Sequence, residues 1–267
     1  MQTPTFPMFL FYSNKFYILC QNVSRGTMKP SLDEKQKALL NQFLAANNVT
    51  LSKETLDKLY GYADLVVETK EFGNLISPKD SEKFLSRHIA DSLIPFIYIN
   101  GMLDSSRTMC AQNDTGESSS PDINSAFSIQ HSALTWADMG SGAGCPVFPL
   151  AIAMPNVKFY AVEPRNMRVK FMQMAKEKLH LDNLTVVGKR FETAGLANLD
   201  FISCRALSTF ENDWERAKVG LKKGGIFATL KSYHNVEELE GNPAIHIQKY
   251  NLPEEEQLYA FVTRGNE

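Results

Sequence analysis

From residue 134 onward, short β-rich runs alternate with helical stretches, and that alternation constrains the fold more than any other feature of the chain. LTWADM, KFYAVE, LTVV, DFISC and GGIFATL read as five strands, with helices between them at about Arg165–Leu179 and Phe210–Leu221. Strands separated by helices pair in parallel, because the chain must cross back over the sheet each time, and the crossing helices cover both faces. IHIQKYNL and QLYAFVTR, joined by an acidic PEEE turn, read as an antiparallel hairpin added to that sheet. The expected class is therefore α/β, a Rossmann-like, mostly parallel seven-stranded sheet that closes with a hairpin.

The chain ahead of the sheet reads differently. Ser31 and Glu34 form a capping box, after which Leu32, Leu39, Leu40, Phe43 and Leu44 recur at helical spacing. A second helix starts near Ser52 with Leu56, Leu59, Tyr60, Ala63, Val66 and Val67 on one face. A third runs from about Asp80 with Phe84, His88, Ile89, Leu93, Phe96 and Ile97 inward, behind the loop KEFGNLISPKD. These define an N-terminal helical domain at 28–103. Residues 104–133, rich in Ser, Asn, Asp and Gly, form a flexible insert, and 134–267 form the sheet domain. Residues 1–27 are read first as an upstream stretch ahead of a start at Met28, next as a disordered tail, and last as a targeting segment.

Chemistry enters where the first strand runs straight into GSGAGCP. Asp138, Gly140, Gly142 and Gly144 stand at alternate positions, with Ser141 between, and a helix starts near Pro146. Alternating glycines let the backbone turn tightly and bring amides and a helix start close to a ligand. A dinucleotide fingerprint would need its third glycine at position 145, which is Cys145. Asp138, two residues ahead of the first glycine, would repel a pyrophosphate but suits a cofactor carrying positive charge on sulfur and on an amino group. The spacing favours S-adenosylmethionine over NAD. Glu163 ends the next strand, 25 residues after Asp138, where an acid in such folds accepts ribose hydroxyls.

Composition narrows the class further. Every apolar run is broken well short of the ~20 residues that a spanning helix needs, so no membrane role is expected. Cys20, Cys110, Cys145 and Cys204 are scattered and form no paired motif, which indicates neither zinc nor disulfides and fits a reducing cytoplasm. The formal net charge is only −2. Residues 156–192, however, hold eight Lys or Arg against four acids, whereas 235–256 hold six Glu against Lys249 alone. One basic face that admits an RNA partner is compatible with this distribution.

Four separated elements carry a family resemblance. KEFGNLIS with RHIADSL resembles an Asn-Leu-Thr-Ser and Arg-His-x-x-Asp-Ser signature, at Asn74, Leu75, Arg87, His88, Asp91 and Ser92. ADMGSGAGCP is similar to an Asp-x-Gly-Ser-Gly-Ala-Gly-Phe-Pro-Gly loop; GKRFET carries Gly188, Arg190 and Glu192; CRAL carries Arg205 and Ala206. Together they resemble the ribosomal small-subunit methyltransferase G family (RsmG, also called GidB), over about residues 31–101 and 134–263. Cys145 and Val147 depart from it, standing where the family has Phe or Leu and Gly, which bears on the wall of the cofactor pocket.

The resemblance implies a class I methyltransferase fold, transfer of a methyl group from S-adenosylmethionine to N7 of a guanine in 16S ribosomal RNA, and the small ribosomal subunit as partner of a monomer. It adds Phe191, Glu192 and Arg205, with Gly140 and position 145, to the cofactor pocket. No general base is required, since N7 carries a lone pair and no proton; a catalytic part for Arg205 stands beside a capping or phosphate-facing one. Arg87, His88, Arg165, Arg168 and Lys231 are the RNA-facing candidates, although His88 shares the apolar face of its helix and Lys231, at the end of the fifth strand, is more readily a solvated lysine than a residue of the substrate mouth. No metal is expected. Alternatives are a methyltransferase for another acceptor and a non-catalytic ribosome-assembly factor.

Overall fold

A computed structural model describes residues 32–99 and 134–267. The Ser31 cap, the 1–27 extension and the 104–133 insert lie outside the described residues. Helix α1 (Leu32–Ala46) and helix α2 (Lys53–Glu68) follow each other closely. Ser52 caps α2, its hydroxyl accepting from the Thr55 amide, which leaves one fewer orphan donor in the first turn. The inward face of α2 is Leu59, Tyr62, Ala63 and Val66, at i, i+3, i+4 and i+7. Tyr62, not Tyr60, is the fully buried aromatic. Both tyrosines border the apolar stripe, and packing against the sheet decides between them.

The third helix is not the single α-helix expected. It breaks into α3 (Pro78–Ser81), a π-helical turn (Phe84–Ile89) and α4 (Ala90–Ser92). Phe84 and Ile89 are buried as expected, and the wider turn brings Leu85 into the core beside them. π-turns of this kind recur at functional positions.

The seven strands are β1 (Thr135–Met139), β2 (Lys158–Val162), β3 (Leu184–Val187), β4 (Leu199–Arg205), β5 (Leu221–Ser232), β6 (Ile245–Asn251) and β7 (Leu258–Gly265). Their order is β3-β2-β1-β4-β5-β7-β6. The first five pair in parallel, and β7 enters antiparallel between β5 and β6. This is the mostly parallel seven-stranded arrangement expected, hairpin included. The order reverses between β1 and β4, so the carboxyl ends of those two strands border the crevice where open α/β sheets bind ligands.

Side-chain alternation splits the core between the two faces of the sheet. Trp136, Phe159, Ala161, Leu230 and Phe261 join one cluster with Leu40, Leu59, Tyr62 and Ile89 of the helical segment. Two further helices lie on that face: α5 (Val147–Ala153), buried along its whole length, and α6 (Asn166–Leu179). Ala137, Met139, Val162, Phe227 and Val262 face the other way, with Phe210 and Trp214 of α7 (Phe210–Ala217). Each fully buried large side chain contributes about 1.5–3 kcal/mol. The helical segment is thereby fixed to the sheet face behind the crevice, and the described residues form one compact unit.

Candidate functional site

Past Met139 the chain folds over the end of β2. The amides of Gly140 and Ser141 both donate to the Val162 carbonyl, at 2.8 and 3.1 Å, and the Ser141 hydroxyl donates back to the Asp138 carbonyl at 2.9 Å. Gly140, Gly142 and Gly144 take φ angles of +70°, +59° and +106°, a region costly for side-chain-bearing residues. A Cβ on Gly144 would lie 2.4 Å from the Phe148 ring, whereas one on Gly142 would meet nothing closer than 4.0 Å. Gly144 is thus needed for packing. Gly142 leaves open space at the crevice.

Two carboxylates flank this loop. Glu163, past the end of β2, accepts from the Gly142 amide and the Arg165 amide, both at 2.9 Å, and is almost wholly buried. Its oxygens shape the glycine loop directly. Asp138 is 1% exposed. Its Oδ1 accepts from the Ser203 hydroxyl at 2.8 Å, and Ser203 in turn receives the Trp136 indole N–H. Among the described residues its Oδ2 is buried with no hydrogen-bond partner. Burial pushes the Asp138 carboxyl up to about 7, with the Ser141 and Ser203 hydroxyls and Arg205 pulling the other way. A carboxylate in that state gains most from a nearby positive charge.

The carboxyl end of β4 is tied to the helical segment. Arg205 donates to Asp91 at 3.1 Å and meets Nδ1 of His88 at 3.2 Å, while the Tyr250 hydroxyl donates to the other Asp91 oxygen. Burial first, then the Arg205 charge, hold His88 down at about 4, so its neutral ring accepts from the guanidinium. Arg87 pairs with Asp80 at 2.8 Å. Three residues of the RHIAD signature are thus joined in one network with its Arg205 counterpart.

The remaining candidates fall into separate places. Tyr62 donates to the Ala143 carbonyl at 2.9 Å, lies 3.4 Å from Cys145 Sγ and stacks on Phe148, so Cys145 faces a tyrosine from α2. Phe191 is buried under β4, and Glu192 pairs with Arg216 at the surface. Arg168 donates to the Leu75 and Asn74 carbonyls, holding the loop ahead of α3. Lys231 is not solvated: its side chain is 6% exposed and pairs with the fully buried Asp213. Arg165 is exposed beside Glu163, as are Lys189 and Arg190 past β3.

Tyr62, Ser203 and the partnership of Asp91 with Arg205 escape a sequence reading. All three are contacts between distant segments, and only the presence of Asp91 in the signature hinted at one. The site as built offers an open glycine cradle, an unpartnered buried carboxylate oxygen and a second carboxylate 25 residues on. That set fits a cationic nucleoside better than an anionic one. No helix among the described residues is long and apolar enough to cross a membrane.

A family model described as rRNA small subunit methyltransferase G matches residues 122–257. Proteins named ribosomal RNA small subunit methyltransferase G are similar over most of the chain. The one from Pseudomonas putida is 31% identical over 73% of this chain and 77% of its own. The one from Staphylococcus saprophyticus is 29% identical over 82% and 84%, and the one from Neisseria meningitidis 27% over 78% and 86%. A solved methyltransferase from Geobacter sulfurreducens overlaps 65% of this chain and 96% of that one, at 12% identity and a TM-score of 0.41.

Proposed function

The chain belongs to the rRNA small subunit methyltransferase G family, and from that premise we propose that it methylates N7 of a guanine in 16S ribosomal RNA of the small subunit. The observations that carry the site assignment are the buried, unpartnered Oδ2 of Asp138 at the end of β1 and the open space at Gly142 of the loop that follows it. When bound, S-adenosylmethionine supplies a methyl group on positively charged sulfur. That group would be received by the N7 lone pair of the acceptor guanine, with Asp138 and the glycine loop as the residues that would hold its donor.

What the protein's own residues do is orient and compensate charge. Asp138, held by Ser203, offers one oxygen to a cation, and Glu163 fixes the loop on which the nucleoside rests. Preorganised dipoles and in-line positioning supply several kcal/mol of such a reaction. Guanine N7 lies in the deep, narrow groove of A-form RNA, so the target must be in a loop or displaced. Exposed Arg165, Lys189 and Arg190 at the strand ends suit the phosphates around it. Arg87, Arg168 and Lys231 are engaged in internal bonds and act through the fold. We place the protein as a monomer in the cytoplasm, where its RNA partner is assembled.

The test uses tritiated S-adenosylmethionine and small subunits from cells lacking this activity. One methyl per subunit should enter RNA and appear as 7-methylguanosine on digestion. Label in protein, or in another nucleoside, overturns the acceptor.

A further inference from the structure

Between β4 and α7 lies a short irregular loop, Ala206 to Thr209, that the fold holds from both sides. Arg205 before it is clamped by Asp91 and His88. Within it both backbone groups of Ser208 are taken: its amide donates to Asp213 at 3.2 Å and its carbonyl accepts from Lys231 at 2.6 Å. That Lys231–Asp213 pair is itself buried. Isolating such charges from water is expensive, and a hydrophobic pair would hold two elements together at least as well.

What the two clamps hold in place is one residue. Ala206 is forced into a left-handed φ of +50°, a conformation that persists only where the surroundings over-determine it and that gathers at functional sites. The turn it makes sends Leu207 out at the switch point. Leu207 is 36% exposed, one of only three large apolar residues so exposed among the described residues. Its Cδ1 lies 2.9 Å from where a Cβ on Gly140 would stand. An apolar side chain is thus presented at the rim of the glycine cradle, on a loop made rigid by ion pairs from other elements. Rigid support behind a single presented group is the arrangement expected of a contact to a ligand.

We infer that Leu207 is the residue against which the acceptor purine packs, its side chain covering one face of the displaced guanine so that the N7 edge faces the glycine cradle. The inference rests on the methyltransferase reading above. An aliphatic side chain suits a purine face, which displaced bases commonly offer to apolar groups. It makes no hydrogen bond and so leaves the edge that carries N7 unobstructed. Arg205 and Lys231 are positioning residues in this account, acting through the loop.

The experiment compares the full chain with Leu207→Ala and Leu207→Met. Three quantities are read: S-adenosylmethionine affinity by calorimetry, melting temperature, and methyl transfer to small subunits. Leu207→Ala should lower kcat/KM for the subunit roughly tenfold, the low end of what missing methylenes cost in a specificity contact. Cofactor affinity and melting temperature should stay within error of the parent, and Leu207→Met should restore most of the transfer. Unchanged transfer by Leu207→Ala overturns the inference. So does a loss of transfer matched by an equal loss of cofactor affinity, which would make Leu207 a wall of the cofactor pocket. A parent protein that labels no RNA overturns the methyltransferase reading itself, before any variant is compared.

Discussion

Gly142 and Gly144 both have left-handed backbones, yet alanine at each should fail for a different reason. At Gly144 the new methyl meets the Phe148 ring at 2.4 Å and the Tyr62 hydroxyl at 3.0 Å, inside a stacked, fully buried pair. Overpacking and a disfavoured φ together cost about 3 kcal/mol or more, so Gly144→Ala should lower the melting temperature by roughly 10 °C. At Gly142 there is room for the methyl, and only the conformational cost of about 1–2 kcal/mol applies. Gly142→Ala should therefore melt only about 3–7 °C below the parent but bind S-adenosylmethionine at least tenfold more weakly, because the methyl enters the cradle. Thermal melts and calorimetry on the two variants check this. Parental affinity in Gly142→Ala would remove the cofactor from this loop. The residue pattern at 138–144 was legible because its cause is local: alternating glycines and an acid ahead of them force a turn whatever surrounds it. The choice of Cys145 was not, since its neighbour Tyr62 comes from 83 positions away.

Elements meet through the Arg205 network, and its chemistry sets a pH dependence. His88 is held near 4 in the folded chain against an ordinary 6.5, by burial first and then by Arg205, with Asp80 pulling it back up. The unfolded chain therefore takes up this proton first as the solution is acidified. The histidine's contribution to stability is intact above pH 6.5, declines below it, and is fully lost by about pH 4, amounting to about 3 kcal/mol. Asp138 works in the opposite sense over much of the same range: its raised value near 7 favours the protonated form in the fold, so its contribution fades as pH rises. The difference between the parent and His88→Asn isolates the histidine, because Asn retains an acceptor where Nδ1 faces Arg205. Melting curves should show the parent losing stability relative to His88→Asn between pH 6.5 and 4; parallel curves would mean that the ring is not neutral beside the guanidinium. Strand positions were readable to within a residue or two over most of the sheet, since alternation and the β-branched content are properties of each strand alone. The third helix was not, because apolar periodicity carries no sign of a π-turn, and neither was the burial of Lys231, whose partner Asp213 lies on another element.

At the scale of the whole molecule, the question is whether the helices before the glycine loop unfold with the sheet. Leu40, Leu59, Tyr62 and Ile89 pack into the same cluster as Trp136, Phe159 and α5. Tyr62 also ties the two parts by a hydrogen bond to the Ala143 carbonyl. A segment that shares its core has little left to bury when detached, and a few helical turns alone are marginal in water. The two tryptophans, the only ones in the chain, lie in different clusters: Trp136 on the helical side of the sheet, Trp214 in α7 on the other. Trp136→Phe and Trp214→Phe each leave one reporter, and both variants should unfold in denaturant with fluorescence and far-ultraviolet circular dichroism coinciding within each. Each substitution shifts its own midpoint, so coincidence is judged between probes of one protein. If helical signal is lost at lower denaturant than Trp136 fluorescence, the helical segment unfolds by itself. The Arg205 clamp would then open without loss of the sheet, and loop 206–209 would lose one of its two supports while the fold persisted.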